Sequence, residues 1–139
     1  MDTEPRWVIY EFPHDARLLS AAAGAVAHFA ERAGMTPAAG SELAVATEAA
    51  CRDTFKLLAS NSEAIELRAE SFSDSVQVTI AHRGDAAPAV GLDTFAGAEG
   101  ESGGGLTGLA LLANVDRVQY QSEAGVSKMV LIKYLARKA

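Results

Sequence analysis

The sequence predicts an α+β fold, a two-layer α/β sandwich in which helices cover one face of a largely antiparallel, mixed sheet. Three observations predict it. The strand-like segments alternate apolar and polar residues, so each has one wet face. The helical segments carry a single apolar stripe. The elements run strand, two helices, two strands, helix, two strands, and do not alternate as a doubly wound parallel sheet requires. With 139 residues the chain reads as a single domain, 1–139, long enough to bury its core without a metal or disulfide staple.

Arg6 to Phe12 is the first strand, since Trp7, Val8, Ile9, Tyr10 and Phe12 all favour the pleated conformation. Pro13 ends it, and Trp7 and Tyr10 are expected in the core. A helix is predicted from Asp15 to Ala33, with Asp15 as its cap and Gly34 as the left-handed stop. Leu18, Ala22, Val26, Phe29 and Ala33 form its stripe. His14 and His28 lie off that stripe, have no partner at ligand spacing, and are expected in solvent. Thr36-Pro37 opens a second helix, whose apolar face is Leu43, Ala46, Ala50, Thr54 and Leu58, closed by Asn61-Ser62. Gly40 weakens its first turn by about 1 kcal/mol, which moves the expected start toward Ser41.

Two hairpins follow. In the first, Ile65, Leu67 and Ala69 oppose Val76, Val78 and Ile80 across the polar turn Ser71–Ser75. In the second, Val118 and Tyr120 precede the turn Ala124-Gly125, and Val130 and Ile132 follow it. A short helix, Leu106 to Val115, lies between them. Cys51 reads as a small buried apolar residue, because no His stands at a readable spacing.

Charge narrows the functional classes. Twelve Lys+Arg against 18 Asp+Glu give a net charge of −6, which argues against nucleic acid and anionic membrane as partners. A single Cys suits a reducing compartment. No apolar run approaches the roughly 20 residues that span a bilayer, and Met1-Asp2-Thr3-Glu4-Pro5 has no signal-peptide character. The expected location is the cytoplasm.

The segment between His82 and Gly105 carries the functional signal. Seven of the chain's 12 glycines fall there and end in a run that leads into a helix. Such backbone can cradle an anion at a helix N-terminus; it can equally be a flexible linker. No Lys or Arg occurs from Gly84 through Asp116, so a Walker-type phosphate loop is excluded. Asp85, Asp93, Glu99 and Glu101 would repel a bare phosphate.

Three segments, in this order of elements, resemble the GHKL ATPase superfamily, in particular its small anti-sigma-factor serine kinases. Ser41-Glu42-Leu43-Ala44-Val45-Ala46-Thr47-Glu48-Ala49-Ala50 resembles the family's first nucleotide motif. Val76 to Ile80 followed by His82-Arg83-Gly84-Asp85-Ala86-Ala87-Pro88 resembles the second, normally Asp-x-Gly-x-Gly. Gly103-Gly104-Gly105-Leu106-Thr107-Gly108-Leu109 resembles the third, the glycine-rich end of the lid. The closing hairpin is similar too. The resemblance spans about Trp7 to Lys133 and implies a Bergerat-type fold, ATP or ADP as cofactor, a homodimer, and a sigma factor or an anti-sigma-factor antagonist as partner protein.

It also implies residue roles. Glu48 stands where the family's catalytic Glu activates the attacking group. Arg52, His82, Gly84, Ala86, Gly103, Gly104, Gly105 and Leu106 stand at nucleotide-binding positions. Three departures alter that chemistry. Arg52 replaces the Asn that holds magnesium, and a guanidinium has donors only, so no metal ligand is assigned; Arg52 can instead touch a phosphate. His82 replaces the Asp that accepts from the adenine amino group. Ala86 replaces a glycine. Glu48, Arg52 and Lys56 also share one helix face, where a solvated ion-pair ladder is the competing reading. The implied function is therefore an anti-sigma-factor-like regulator with a degenerate ATP site that acts by protein binding. The alternative is an active ATP-dependent serine/threonine kinase that phosphorylates an anti-sigma-factor antagonist.

Overall fold

A computed structural model describes residues 6–13, 15–56, 64–83 and 113–135. The elements are strand β1 (Arg6–Pro13), a 3-10 turn (Ala16–Leu18), helix α1 (Leu19–Arg32), helix α2 (Pro37–Phe55), and strands β2 (Ala64–Ser71), β3 (Ser75–Arg83), β4 (Arg117–Glu123) and β5 (Val126–Tyr134). This is the two-layer α/β arrangement that the patterning predicts. The five strands lie in the order β1-β2-β3-β5-β4. Every pairing among them is antiparallel, so the expected mixed sheet is corrected to a wholly antiparallel one among the described strands.

The helix starts follow from their caps. Asp15 accepts a bond from the Arg17 N–H, and this tightens the first turn into a 3-10 form, so regular helix begins at Leu19 rather than Asp15. Gly34 takes φ +113° and stops α1, as expected. Thr36 accepts from the Ala39 N–H at 3.1 Å, and Pro37 occupies the first turn. Gly40 does not delay α2, contrary to the expectation from its propensity. It sits against α1, where an added Cβ would meet the Ala27 carbonyl oxygen at 3.3 Å. Its lack of a side chain lets the two helices approach.

Alternation divides the sheet into two faces. Val8, Tyr10, Phe12, Ile65, Leu67, Ala69, Val76, Val78, Ile80, Met129 and Leu131 join the core, with Leu19, Val26, Leu43, Ala46, Ala50 and Cys51 from the helices. Thr47 and Thr54, also buried, return their hydroxyls to the carbonyls of Leu43 and Ala50, each at 2.8 Å, so neither hydroxyl is left unsatisfied. Trp7 is not a core residue. Its odd position in β1 turns it to the other face, where it is 50% exposed and stacks with the Arg68 guanidinium 5.4 Å from its ring centre. Ala124 and Gly125 both take positive φ (54° and 78°); this is the turn that joins β4 to β5 with matching twist.

His14, Leu58, Asn61, Ser62 and most of the predicted helix from Leu106 lie outside the described residues. No helix among the described residues is long and apolar enough to cross a membrane.

Candidate functional site

Helix α2 presents two flanks to the sheet. On one, Glu42 meets the Lys133 ammonium of β5 at 2.9 Å. Asp53, eleven residues later and so within about 20° around the helix axis, shares that flank, and its charge acts on Tyr120 of β4. On the other flank lie Glu48 and, seven residues on, Phe55. Phe55 meets Phe12 of β1 edge-to-face, ring centres 6.1 Å apart. Glu48 and Asp53 thus stand about 140° apart and look toward opposite ends of the sheet.

Glu48 is held by Arg52, whose guanidinium donates to its carboxylate at 2.7 Å. The pair is part-exposed and contributes about 0.3–0.5 kcal/mol. This is the first rung of the expected ladder. It fills one carboxylate oxygen with a strong charge-assisted bond. Cys51, one position before Arg52, is fully buried; burial, with a smaller contribution from the Glu48 charge, pushes its thiol up to about 12. It is not a nucleophile.

His82 is not an ordinary turn-flanking side chain. It lies inside β3, on the helix-covered face, and is 5% exposed. Its Nδ1 stands 3.0 Å from the Arg83 carbonyl oxygen, an acceptor, so that nitrogen carries the proton. Nε2 is then an acceptor, buried and, among the described residues, without a hydrogen-bond partner. Ser127 of β5 stands directly opposite His82 and is buried as well. Opposite Ser127 on β4 is Ser122, and two residues before Ser122 is Tyr120, whose hydroxyl is buried and has no partner among the described residues. Burial, and secondly the Asp53 charge, push that phenol up to about 12. Asp53 itself is raised by burial against the opposing charge of Lys56.

The structure therefore gathers polar groups at one end of β3, β5 and β4, below the Asp53 flank of α2. The residue-type pattern missed Ser127, Tyr120 and Asp53. Strand parity could have found the first two, because it puts Ser127 on the face of Met129 and Leu131. A hollow of about 460 Å³ opens at the same end of the sheet, lined by Glu11, Ala64, Glu66, Ala81, His82, Arg83 and Val126. Apart from His82, its walls belong to the sheet face that turns away from the helices, so the hollow is separate from the polar groups under α2, and Glu48 and Arg52 are not among its walls. Gly84, Ala86, Gly103, Gly104, Gly105 and Leu106 lie outside the described residues. Among the described residues no group of three or more His, Cys, Asp or Glu side chains is placed to hold a metal ion.

No protein-family model matches the chain, and no curated protein matches it.

Proposed function

We propose that the chain is an anti-sigma-factor-like regulator on a Bergerat-type GHKL fold, with a degenerate ATP site, acting mainly by binding partner proteins. The observation that carries this reading is the 2.7 Å bond from Arg52 to Glu48. A carboxylate oxygen that already accepts from a guanidinium is not free to receive the hydroxyl of an attacking group, and the guanidinium beside it cannot ligate magnesium. The resemblance in element order and in the three motifs supports the family. The antiparallel sheet with helices on one face is compatible with it.

The residues fit the adenine end of a nucleotide better than the phosphate end. The buried Nε2 of His82 is an orphaned acceptor, the kind of atom that an amino group on a base would satisfy. ATP, when bound, would supply a phosphoryl group. His82 would hold the base and Arg52 would offer charge.

The alternative, an active serine/threonine kinase, finds its support in Asp53. This carboxylate shares the Tyr120 side of α2 and is not occupied by an arginine.

Calorimetric titration with ATP and ADP, with and without magnesium, tests the reading. Binding that ignores magnesium, or none, is the expected result. Magnesium-dependent binding with phosphoryl transfer to an antagonist protein would replace the proposal with the kinase. Arg52→Asn is expected to add magnesium dependence to any nucleotide binding. Mixing the protein with sigma factors of the source organism, without nucleotide, tests the partner directly: a complex resolved by gel filtration is expected, and none with any of them would remove the regulatory role.

A further inference from the structure

Strand β1 ends the sheet among the described strands and pairs only with β2, so no described strand covers the backbone groups of its other edge. Such an edge is a template for another strand unless it is protected. Usual protections are lysines, a mid-strand proline or a bulge. β1 reads Arg-Trp-Val-Ile-Tyr-Glu-Phe-Pro, with its one proline at the end. Trp7 and Ile9 remain 50% and 42% exposed.

Beside that edge runs a groove between β1 and α1. One stretch, of about 470 Å³, is lined by Trp7, Val8, Tyr10 and Phe29 together with Arg6, His28 and Arg32. The next, of about 270 Å³, shares Tyr10 and Ala25 with the first and continues past Phe12, Leu18 and Ala22. The groove is therefore continuous and polarised. The charged side chains in the first stretch, Arg6 and Arg32, are both basic and His28 adds a third basic group, in a chain whose net charge is −6. His28 and Arg32 are one helical turn apart on α1, and Arg6 reaches across to the Arg32 carbonyl at 3.2 Å. Glu11 is the one charged side chain in the apolar stretch.

We infer that this groove binds an extended segment of a partner protein, apolar at one end and acidic at the other, which adds to β1 as a sixth strand. Main-chain bonds to an open edge supply affinity, and the flanking groove reads the side chains. In antiparallel register the acidic end of the segment is its C-terminal end, because the basic stretch lies at the start of β1. A second copy of this chain fits the charge less well, because its own β1, with Arg6 and Glu11, has no net negative charge to offer the basic stretch. The inference holds whether or not the chain binds nucleotide or a sigma factor.

Trp7, the chain's only tryptophan, reports on the β1 edge. The probe is a capped peptide of alternating valine and threonine that ends in a run of glutamates, with a second peptide ending in lysines as its opposite. The glutamate peptide is expected to shift Trp7 emission, to slow hydrogen exchange of the β1 amides, and to bind about tenfold more tightly than the lysine peptide. Arg32→Glu, an exposed change whose folding circular dichroism can verify, is expected to erase or reverse that preference. Ala25→Gln, a separate variant in the middle of the groove, is expected to weaken both peptides. The inference is overturned if neither peptide alters Trp7 emission or β1 exchange, or if the two bind equally. It is also overturned if β1 amides are already protected in a dimer that dilution dissociates, since a second copy then occupies the edge.

Discussion

Lys133 ties the sheet to the helix above it through Glu42: its ammonium lies 2.9 Å from the Glu42 carboxylate and donates to the Asn114 carbonyl at 2.9 Å. The two partners are unequally placed, since the Lys133 side chain is 11% exposed and that of Glu42 is 51% exposed. Loss of Glu42 strands a buried ammonium on one remaining acceptor, whereas loss of Lys133 leaves a carboxylate that water can solvate. Glu42→Ala is therefore expected to destabilise by about 1–2 kcal/mol, and Lys133→Met, which keeps the apolar stem, by less than about 1 kcal/mol. Urea unfolding of the two variants checks the order; the reverse order would show that the Asn114 bond is the important one.

Two helical glycines should respond oppositely to a side chain. Gly24, exposed within α1, has nothing within 4 Å of an added Cβ, while Gly40 faces Ala27, Ala30 and Glu31 of α1. Gly24→Ala is expected to stabilise by about 0.5–1 kcal/mol through helix propensity. Gly40→Leu is expected to cost about 1–3 kcal/mol by forcing the helices apart. Thermal melts of both decide whether Gly40 is a packing glycine.

Asp53 is raised by burial, so its ionised form is disfavoured in the fold. The sign follows: a carboxyl whose folded value exceeds the unfolded one lowers stability at neutral pH, and that penalty disappears as pH falls below about 4. Asp53→Asn is expected to raise the melting temperature at pH 7 and to converge with the parent in acid. The same change should lower the Tyr120 phenol from about 12, read by its ultraviolet titration. A less stable Asn variant at pH 7 would mean that the carboxylate has a favourable partner.

Asp15 shifts the other way. Its carboxyl accepts from the Arg17 side chain at 3.0 and 2.8 Å and from the Arg17 backbone N–H at 3.0 Å, and these bonds hold it down at about 2. A lowered folded value stabilises above the ordinary carboxylate range, and this contribution is lost as pH falls through about 2. Carbon-detected NMR should place the Asp15 midpoint there. In Arg17→Ala it should rise most of the way to 3.8, with the backbone bond accounting for the remainder.

Much of the fold was legible because its signals are local. Alternation in Ile65–Ala69 and Val76–Ile80 gave the strand faces, Thr36-Pro37 and Gly34 gave helix ends, and Ala124-Gly125 gave a turn. The Glu48–Arg52 rung was legible for the same reason, as an i,i+4 spacing. Gly40 was misread because propensity counts only its own helix, and its role depends on a neighbouring one. Trp7 was misread because a wholly apolar run gives no parity signal, and only the pairing of β1 with β2 shows which residues turn outward.

The sequence by itself determined where the chain coils, extends and turns, since those choices depend on side chains a few residues apart. The tertiary structure alone decided that β3 joins β5, so that His82 faces Ser127. It also decided that Asp53, not Glu48, shares the Tyr120 side of α2. The periodicity of a helix fixes which residues share a flank, but not what that flank meets. That is settled when apolar stripes far apart in the chain are buried together, and the polar groups beside them are carried to wherever burial places them.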